Sequence, residues 1–189
     1  MHVGTVAAGR IGSAVLRRLK PFDVHLHYTD RHRLPPEVER ELGLTFHESA
    51  ADMVPHCDVV TINAPLHPET ENLFDAAMIA RMKRGAYLVN TARGKIADRD
   101  AVAAALRSGQ LAGYAGDVWF PQPAPGDHPC GARCFLPIAS GSSSIGVAMV
   151  VFQRARKPAI AMVATSSTIC SSDQCRRNSA KTASLTALG

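Results

Sequence analysis

Three groups of residues have the types and spacing for chemistry on a small anionic ligand. The first is the turn Ala7-Ala8-Gly9-Arg10-Ile11-Gly12, which follows a short β-capable run beginning at His2 and leads into Ile11, Val15, Leu16 and Leu19 at helical spacing. That order, strand then tight turn then helix, suits a phosphate: Gly9 lets the backbone approach a pyrophosphate, Gly12 lets the helix pack close on the strand, and the free N–H groups of the first helical turn face the anion. Ala7 stands where the usual motif has its first glycine. A glycine turn alone equally serves plain helix–strand packing, so the second group matters more. Asp30 ends the run of residues 24–29, eighteen positions after Gly12, where a dinucleotide fold places the carboxylate that binds the adenosine ribose. Such a carboxylate repels a 2′-phosphate, so NAD is expected over NADP, with Arg31 and Arg33 leaving some tolerance for a phosphate. The third group is Thr91-Ala92-Arg93-Gly94, a fixed bidentate donor at a strand end that can clamp a carboxylate. Taken in isolation, an arginine there more commonly bridges a surface carboxylate.

The elements that must position these groups alternate along the chain. Pro35 and Pro36 open a helix to about Leu42, Gly43 ends it, and residues 44–46 make a brief third strand. Residues 48–54 read as a short helix. The β-branched run 58–63 suits a parallel strand covered on both faces and leads into the proline-stiffened loop 64–70. A helix over 75–82, a break at Gly85 and a strand over 86–90 follow. Asp98 caps a helix through Arg107, Gly109 stops it, and residues 111–117 supply a sixth strand. The fold expected is α/β, a doubly wound parallel sheet with strand order 3-2-1-4-5-6. All three groups, together with residues 63–70 and 117–122, fall at the carboxyl ends of its strands, where such sheets bind ligands.

Composition bounds the rest. The chain has 189 residues, 46% of them hydrophobic, which suits one ordinary soluble domain. There is no run of eighteen apolar residues and no basic-then-apolar leader, so a cytoplasmic protein with no membrane association is expected. The net charge of +5 is unevenly placed, with 14 Lys+Arg against 15 Asp+Glu through Pro129 and 7 against 1 beyond it. The basic excess is therefore confined to the tail and comes without aromatic platforms, which argues against a nucleic-acid partner. Of the five cysteines, Cys130, Cys134, Cys170 and Cys175 lack the close pairs of a zinc site, and no metal is expected. Cys57 reads as a packed thiol.

The stretches Ala7-Ala8-Gly9-Arg10-Ile11-Gly12, Tyr28-Thr29-Asp30-Arg31, Asn63-Ala64-Pro65-Leu66-His67-Pro68-Glu69-Thr70, Asn90-Thr91-Ala92-Arg93-Gly94 and Gly116-Asp117-Val118-Trp119 together resemble the coenzyme domain of the D-2-hydroxyacid dehydrogenase superfamily, and within it the NAD-dependent formate dehydrogenases. The resemblance runs from His2 to about Pro129. It implies a Rossmann-type domain in which Ala7, Gly9, Arg10, Ile11 and Gly12 hold the NAD pyrophosphate and Asp30 the ribose. It further implies that Asn63, Pro65, Leu66, His67, Pro68, Glu69, Thr91, Ala92 and Asp117 line the rest of the cofactor. Arg93 would bind the substrate carboxylate. Gln122 matches the glutamine that pairs with the active-site histidine in formate dehydrogenases, where other members carry an acidic partner. Formate already bears its negative charge and needs no base, unlike a hydroxyacid. The implied substrate is formate or another small carboxylate, and the implied assembly a homodimer.

Two departures shape the expectation. The superfamily's substrate domain precedes the first strand and is not among these residues. After His128-Pro129 the family pattern also stops: Pro137-Ile138-Ala139-Ser140-Gly141 stands where the family reads Pro-His-Ile-Ser-Gly, and no histidine follows His128. The change from a family-like Trp-Arg-Thr-Met to Cys130-Gly131-Ala132-Arg133-Cys134 is what one inserted base produces under one codon choice, and the Ser-, Ala- and Arg-rich tail agrees with a shifted reading frame. The expected organisation is an NAD-binding domain over 1–129 and an atypical, unstructured tail over 130–189. The chain is expected to bind NAD with little or no catalysis. The alternatives are a fragment of a D-2-hydroxyacid dehydrogenase or an inert truncated product.

Overall fold

A computed structural model describes residues 1–116, Val118, Phe120 and the backbone of Cys134–Pro137. All of them fall within Met1–Pro158, the first of the two units into which the chain divides. Five strands alternate with five helices from the start: β1 (His2–Val6), α1 (Arg10–Leu19), β2 (His25–Thr29), α2 (Pro36–Leu42), β3 (Leu44–Phe46), α3 (Ala50–Met53), β4 (Val59–Ile62), α4 (Ala76–Arg81), β5 (Ala86–Asn90) and α5 (Arg99–Ser108). β6 (Leu111–Gly116) and β7 (Cys134–Pro137) complete the described elements. The sheet is parallel throughout, in the order β3-β2-β1-β4-β5-β6-β7.

The expected order 3-2-1-4-5-6 is therefore present, with a seventh strand added outside β6. Nothing in the pattern of residues 134–137 announced it. An open parallel edge pairs through backbone groups alone, so a strand can join it without a side-chain signature. Asp117, Trp119 and Gln122 lie outside the described residues, as does the tail apart from β7.

Helix limits follow local chemistry. The Asp98 side chain accepts from Ala101 N at 2.7 Å, and Gly109 takes φ +73° at the other end of α5. Asp75 caps α4 through Met78 N, and Gly43 closes α2 at φ +65°. The expected helix over 48–54 is shorter. Ser49 is its N-cap, accepting from Asp52 N, and the chain passes after Met53 into a tight 3-10 turn over Val54–His56 that contains Pro55. A proline there lacks the N–H that a continuing α-helix requires.

The sheet is covered on both faces. Val15, Leu16 and Leu19 of α1 and Leu42 of α2 pack with Val3, Leu26, Tyr28, Val59 and Val89 on one side. On the other, Met53, Phe74, Ile79, Val102 and Leu106 pack with Val6, Val60, Ile62 and Leu88. Successive strand residues feed opposite cores, which is why β4 is buried at every position. Cys57 is a packed thiol as its sequence context suggests, fully buried, with burial pushing its pKa up to about 12.

Register brings the strand ends level. Val6 pairs with both Thr29 and Ile62, Ile62 with Asn90, and Asn90 with Gly116. The next residue along each of four strands is Ala7, Asp30, Asn63 and Thr91, so four of the expected site stretches start from one row.

Candidate functional site

A cleft of about 520 Å³ opens along that row. Of the residues expected at the site, Ala7, Gly9, Arg10, Ile11, Asp30, Asn63, Pro65, His67 and Glu69 line it. Gly12 lies one helical turn inside. Leu66, Pro68, Thr91, Ala92 and Arg93 are not among its lining residues.

The glycine turn is built as tightly as its spacing implies. A Cβ on Gly12 would stand 2.1 Å from the Ala7 carbonyl oxygen, so only glycine permits this helix to sit on this strand. At Gly9 a Cβ would meet nothing within 4 Å. Gly9 is also the N-cap of α1 and no side chain caps it, which leaves the first-turn N–H groups available to an anion. Ala7 takes φ +72°, the left-handed conformation that the usual glycine adopts freely.

Asp30 binds back to that turn. Its Oδ2 accepts from Ala8 N at 2.7 Å and its Oδ1 from His32 N at 2.9 Å, so the carboxylate is oriented by two backbone donors while keeping lone pairs for a diol. On the β4 side, Asn63 Nδ2 donates to buried Thr5 Oγ1 at 2.7 Å, and Thr5 donates in turn to Ala7 O at 3.1 Å. The loop after it is tied by Thr70, whose hydroxyl donates to Pro65 O at 2.8 Å and accepts from His67 N at 2.8 Å.

At the end of β5, Asn90 is completely buried and brackets the next three residues. Its Nδ2 donates to Arg93 O at 2.9 Å and its Oδ1 accepts from Ala92 N at 3.1 Å. Arg93 itself is exposed and donates to Ala92 O at 2.7 Å. Among the described residues it has no carboxylate partner.

Sequence reasoning did not single out Thr5, Asn90, Glu48 or Ser49 as site residues, and it reached Thr70 only as the end of the loop 63–70. Glu48 and Ser49 line the cleft from the loop after β3, far along the chain from the glycine turn. Ser49 carried a readable signal as a helix cap but not as a cleft residue. Its position depends on β3 lying two strands from β1.

The residues present fit a dinucleotide. Besides the open Gly9 and the uncapped helix, the buried oxygens Asn63 Oδ1 and Thr91 Oγ1 have no partner in the described protein and sit just past β4 and β5. Buried acceptors and hydroxyls left unpaired are costly, which points to a ligand that completes them. Among the described residues no group of three or more His, Cys, Asp or Glu side chains is arranged for a metal ion, and no helix is long and apolar enough to cross a membrane.

A doubly wound parallel sheet with this turn, this carboxylate and these unpaired strand-end groups defines a dinucleotide-binding domain. The chain belongs to the D-isomer specific 2-hydroxyacid dehydrogenase family, whose NAD-binding domain matches residues 1–134. The cofactor is accordingly NAD. The chain is 74% identical over 129 residues to formate dehydrogenase from Pseudomonas sp. (strain 101), covering 68% of this chain and 32% of that protein. Its fold matches formate dehydrogenase from Granulicella M. with a TM-score of 0.72 at 63% identity, over 78% of this chain and 40% of that one. It also matches NAD-dependent formate dehydrogenase from Staphylococcus aureus in complex with NAD, with a TM-score of 0.62 at 40% identity, over 81% and 48% of the two chains. The chain thus spans about a third of the Pseudomonas protein's length.

Proposed function

We propose that this chain is the cofactor-binding part of a formate dehydrogenase, in which formate gives up a hydride and leaves as carbon dioxide. NAD supplies the hydride acceptor when bound. Gly9 and the first turn of α1 hold its pyrophosphate, Asp30 its adenosine ribose, and Asn63, Thr91 and residues 65–69 the remainder. Arg93 anchors the carboxylate of formate by a charge-assisted pair. Gln122 and Asp117, which match family positions, lie outside the described residues.

The observation that carries this reading is the state of Arg93. Arg93 is exposed, its guanidinium donates only to Ala92 O and has no acidic partner among the described residues, while Asn90 fixes the backbone on either side of it. A structural arginine at a strand end would normally be neutralised; a substrate anchor must be left free.

We further infer that these 189 residues alone turn over formate slowly. They carry no histidine after His128 to orient the substrate opposite Arg93. Positioning is worth roughly 7–11 kcal/mol in favourable intramolecular cases, so losing part of it costs several orders of magnitude in rate. The same reading carries a cytoplasmic location and a homodimer as further expectations. The test is an assay of the purified chain, free of host dehydrogenase, for NADH formed from saturating NAD and formate. Weak turnover that Arg93→Ala abolishes, with NAD binding intact, is the expected result. Turnover that Arg93→Ala leaves untouched would remove Arg93 from its role. Turnover with a 2-hydroxyacid in place of formate would reassign the substrate.

A further inference from the structure

Two arginines follow Asp30, and they differ in what they touch. Arg31 lines the cleft beside the carboxylate. Arg33 instead engages Glu39 of α2 with two parallel bonds, from Nε to Oε1 at 2.9 Å and from Nη2 to Oε2 at 3.0 Å. Its guanidinium carbon also lies over the Phe46 ring, 4.9 Å from the ring centre, so the group is held by a carboxylate and an aromatic face together. Glu39 is anchored in its turn. The hydroxyl of Tyr28, a fully buried residue of β2, donates to Glu39 Oε1 at 2.5 Å and accepts from Leu34 N at 3.0 Å. The segment that leaves Asp30 is therefore clamped at residues 33 and 34 by a brace rooted in the core.

This brace has an electrostatic consequence at the ribose. The substituent that separates NADP from NAD is a 2′-phosphate, a dianionic group that needs cations and N–H donors near Asp30, and an arginine close to the second strand is the usual means of accommodating it. Arg33, three residues beyond Asp30, is a cation of that kind, but Glu39 cancels its charge and occupies two of its five N–H donors. We infer that Glu39 is a specificity-determining residue: by sequestering Arg33 it withholds that cation from the Asp30 end of the cleft and strengthens the rejection of NADP. The inference rests on the ribose lying at Asp30. It separates the two arginines that the sequence presents as equivalent, assigning Arg31 to the cleft and Arg33 to the brace.

The test is calorimetric titration of the full chain with NAD and with NADP, comparing the parent, Glu39→Gln, Arg33→Ala and the double variant. Glutamine keeps an oxygen acceptor for the Tyr28 hydroxyl, and the side chains of Arg33 and Glu39 are 61% and 11% exposed, so a thermal midpoint taken for each variant checks that the fold is kept. Glu39→Gln should tighten NADP by roughly three- to fivefold, the range of one partly exposed charge pair, with NAD changed less than twofold. The gain should vanish when Arg33→Ala is added and should shrink at high salt. Repeating the series in an Asp30→Ser background, where the repelling carboxylate is gone, keeps NADP binding in the measurable range. An unchanged NADP to NAD ratio in Glu39→Gln overturns the inference while leaving the cofactor site standing, as does an equal gain in the Arg33→Ala background. A parent chain that binds neither cofactor overturns the site and the inference together.

Discussion

Ala7 holds a left-handed backbone, φ +72°, at the point where the chain turns from β1 toward α1. For an L-residue with a Cβ this conformation costs roughly 1–2 kcal/mol, while glycine adopts it freely but loses more entropy on folding. The strain outweighs the entropy. Ala7→Gly should therefore stabilise the chain by about 0.5–1 kcal/mol, readable as a rise of a few degrees in the thermal midpoint; a fall would mean the alanine is unstrained. Asn90 presents the opposite case, a buried side chain that serves two backbone groups at once. Asn90→Ala strands Ala92 N–H and Arg93 C=O, and should cost about 2–3 kcal/mol in a urea titration. Asn90→Asp, which keeps the acceptor for Ala92 N but sets a carboxylate oxygen against Arg93 C=O in a fully buried site, should not recover that loss. Loss of less than about 0.5 kcal/mol in the alanine variant would show that water replaces the bracket without difficulty.

At the scale of elements, the sheet face beneath α3 gathers five histidines from four places. His2 of β1 and His27 of β2 are joined at 2.8 Å, and His27 and His47 at 3.0 Å. His25 stacks on His2, and His56 stacks against His27 and His47. A neutral His27 can serve the chain only by donating on one side and accepting on the other. Burial, and then the neighbouring His47 and His2, push the His27 pKa down to about 4, and His2 and His47 are lowered as well, also chiefly by burial. All three shifts have the same sign in linkage. The unfolded chain takes up these protons near pH 6.5 and the folded chain only below that, so stability is full above about pH 6.5 and falls as pH drops toward about 4. The His27 contribution alone is on the order of 2–3 kcal/mol. Urea midpoints measured from pH 7.5 down to pH 4.5 should decline, and His27→Asn should flatten the decline. A midpoint independent of pH across that window would show that the cluster keeps ordinary pKa values.

For the whole molecule, NAD should act as a folding ligand. Saturation at about 100 times the dissociation constant adds roughly 2.7 kcal/mol to unfolding, so NAD should raise the thermal midpoint by several degrees. The increment should fall sharply in Asp30→Ser. An unshifted midpoint at millimolar NAD would identify an inert product rather than a binding domain. Much of the architecture could be read from the chain alone, because the signals are local. Alternating β-branched runs and amphipathic segments set the element order, Asp98, Gly43 and Gly109 mark helix ends through their own turns, and the Gly12 and Asp30 stretches each need only their immediate neighbours to be recognised. Other features depended on which strands became neighbours and in what register. The Arg33–Glu39–Tyr28 brace forms because α2 folds back over β2, and Glu48 reaches the cleft because β3 pairs outside β2. The histidines meet because parallel pairing sets His2 opposite His25 and brings the segments after β3 and α3 onto the same face. β7 joins through backbone groups that every residue possesses. None of these contacts is written in the spacing of its residues, since each depends on pairing between segments separated along the chain, which only the packed sheet defines.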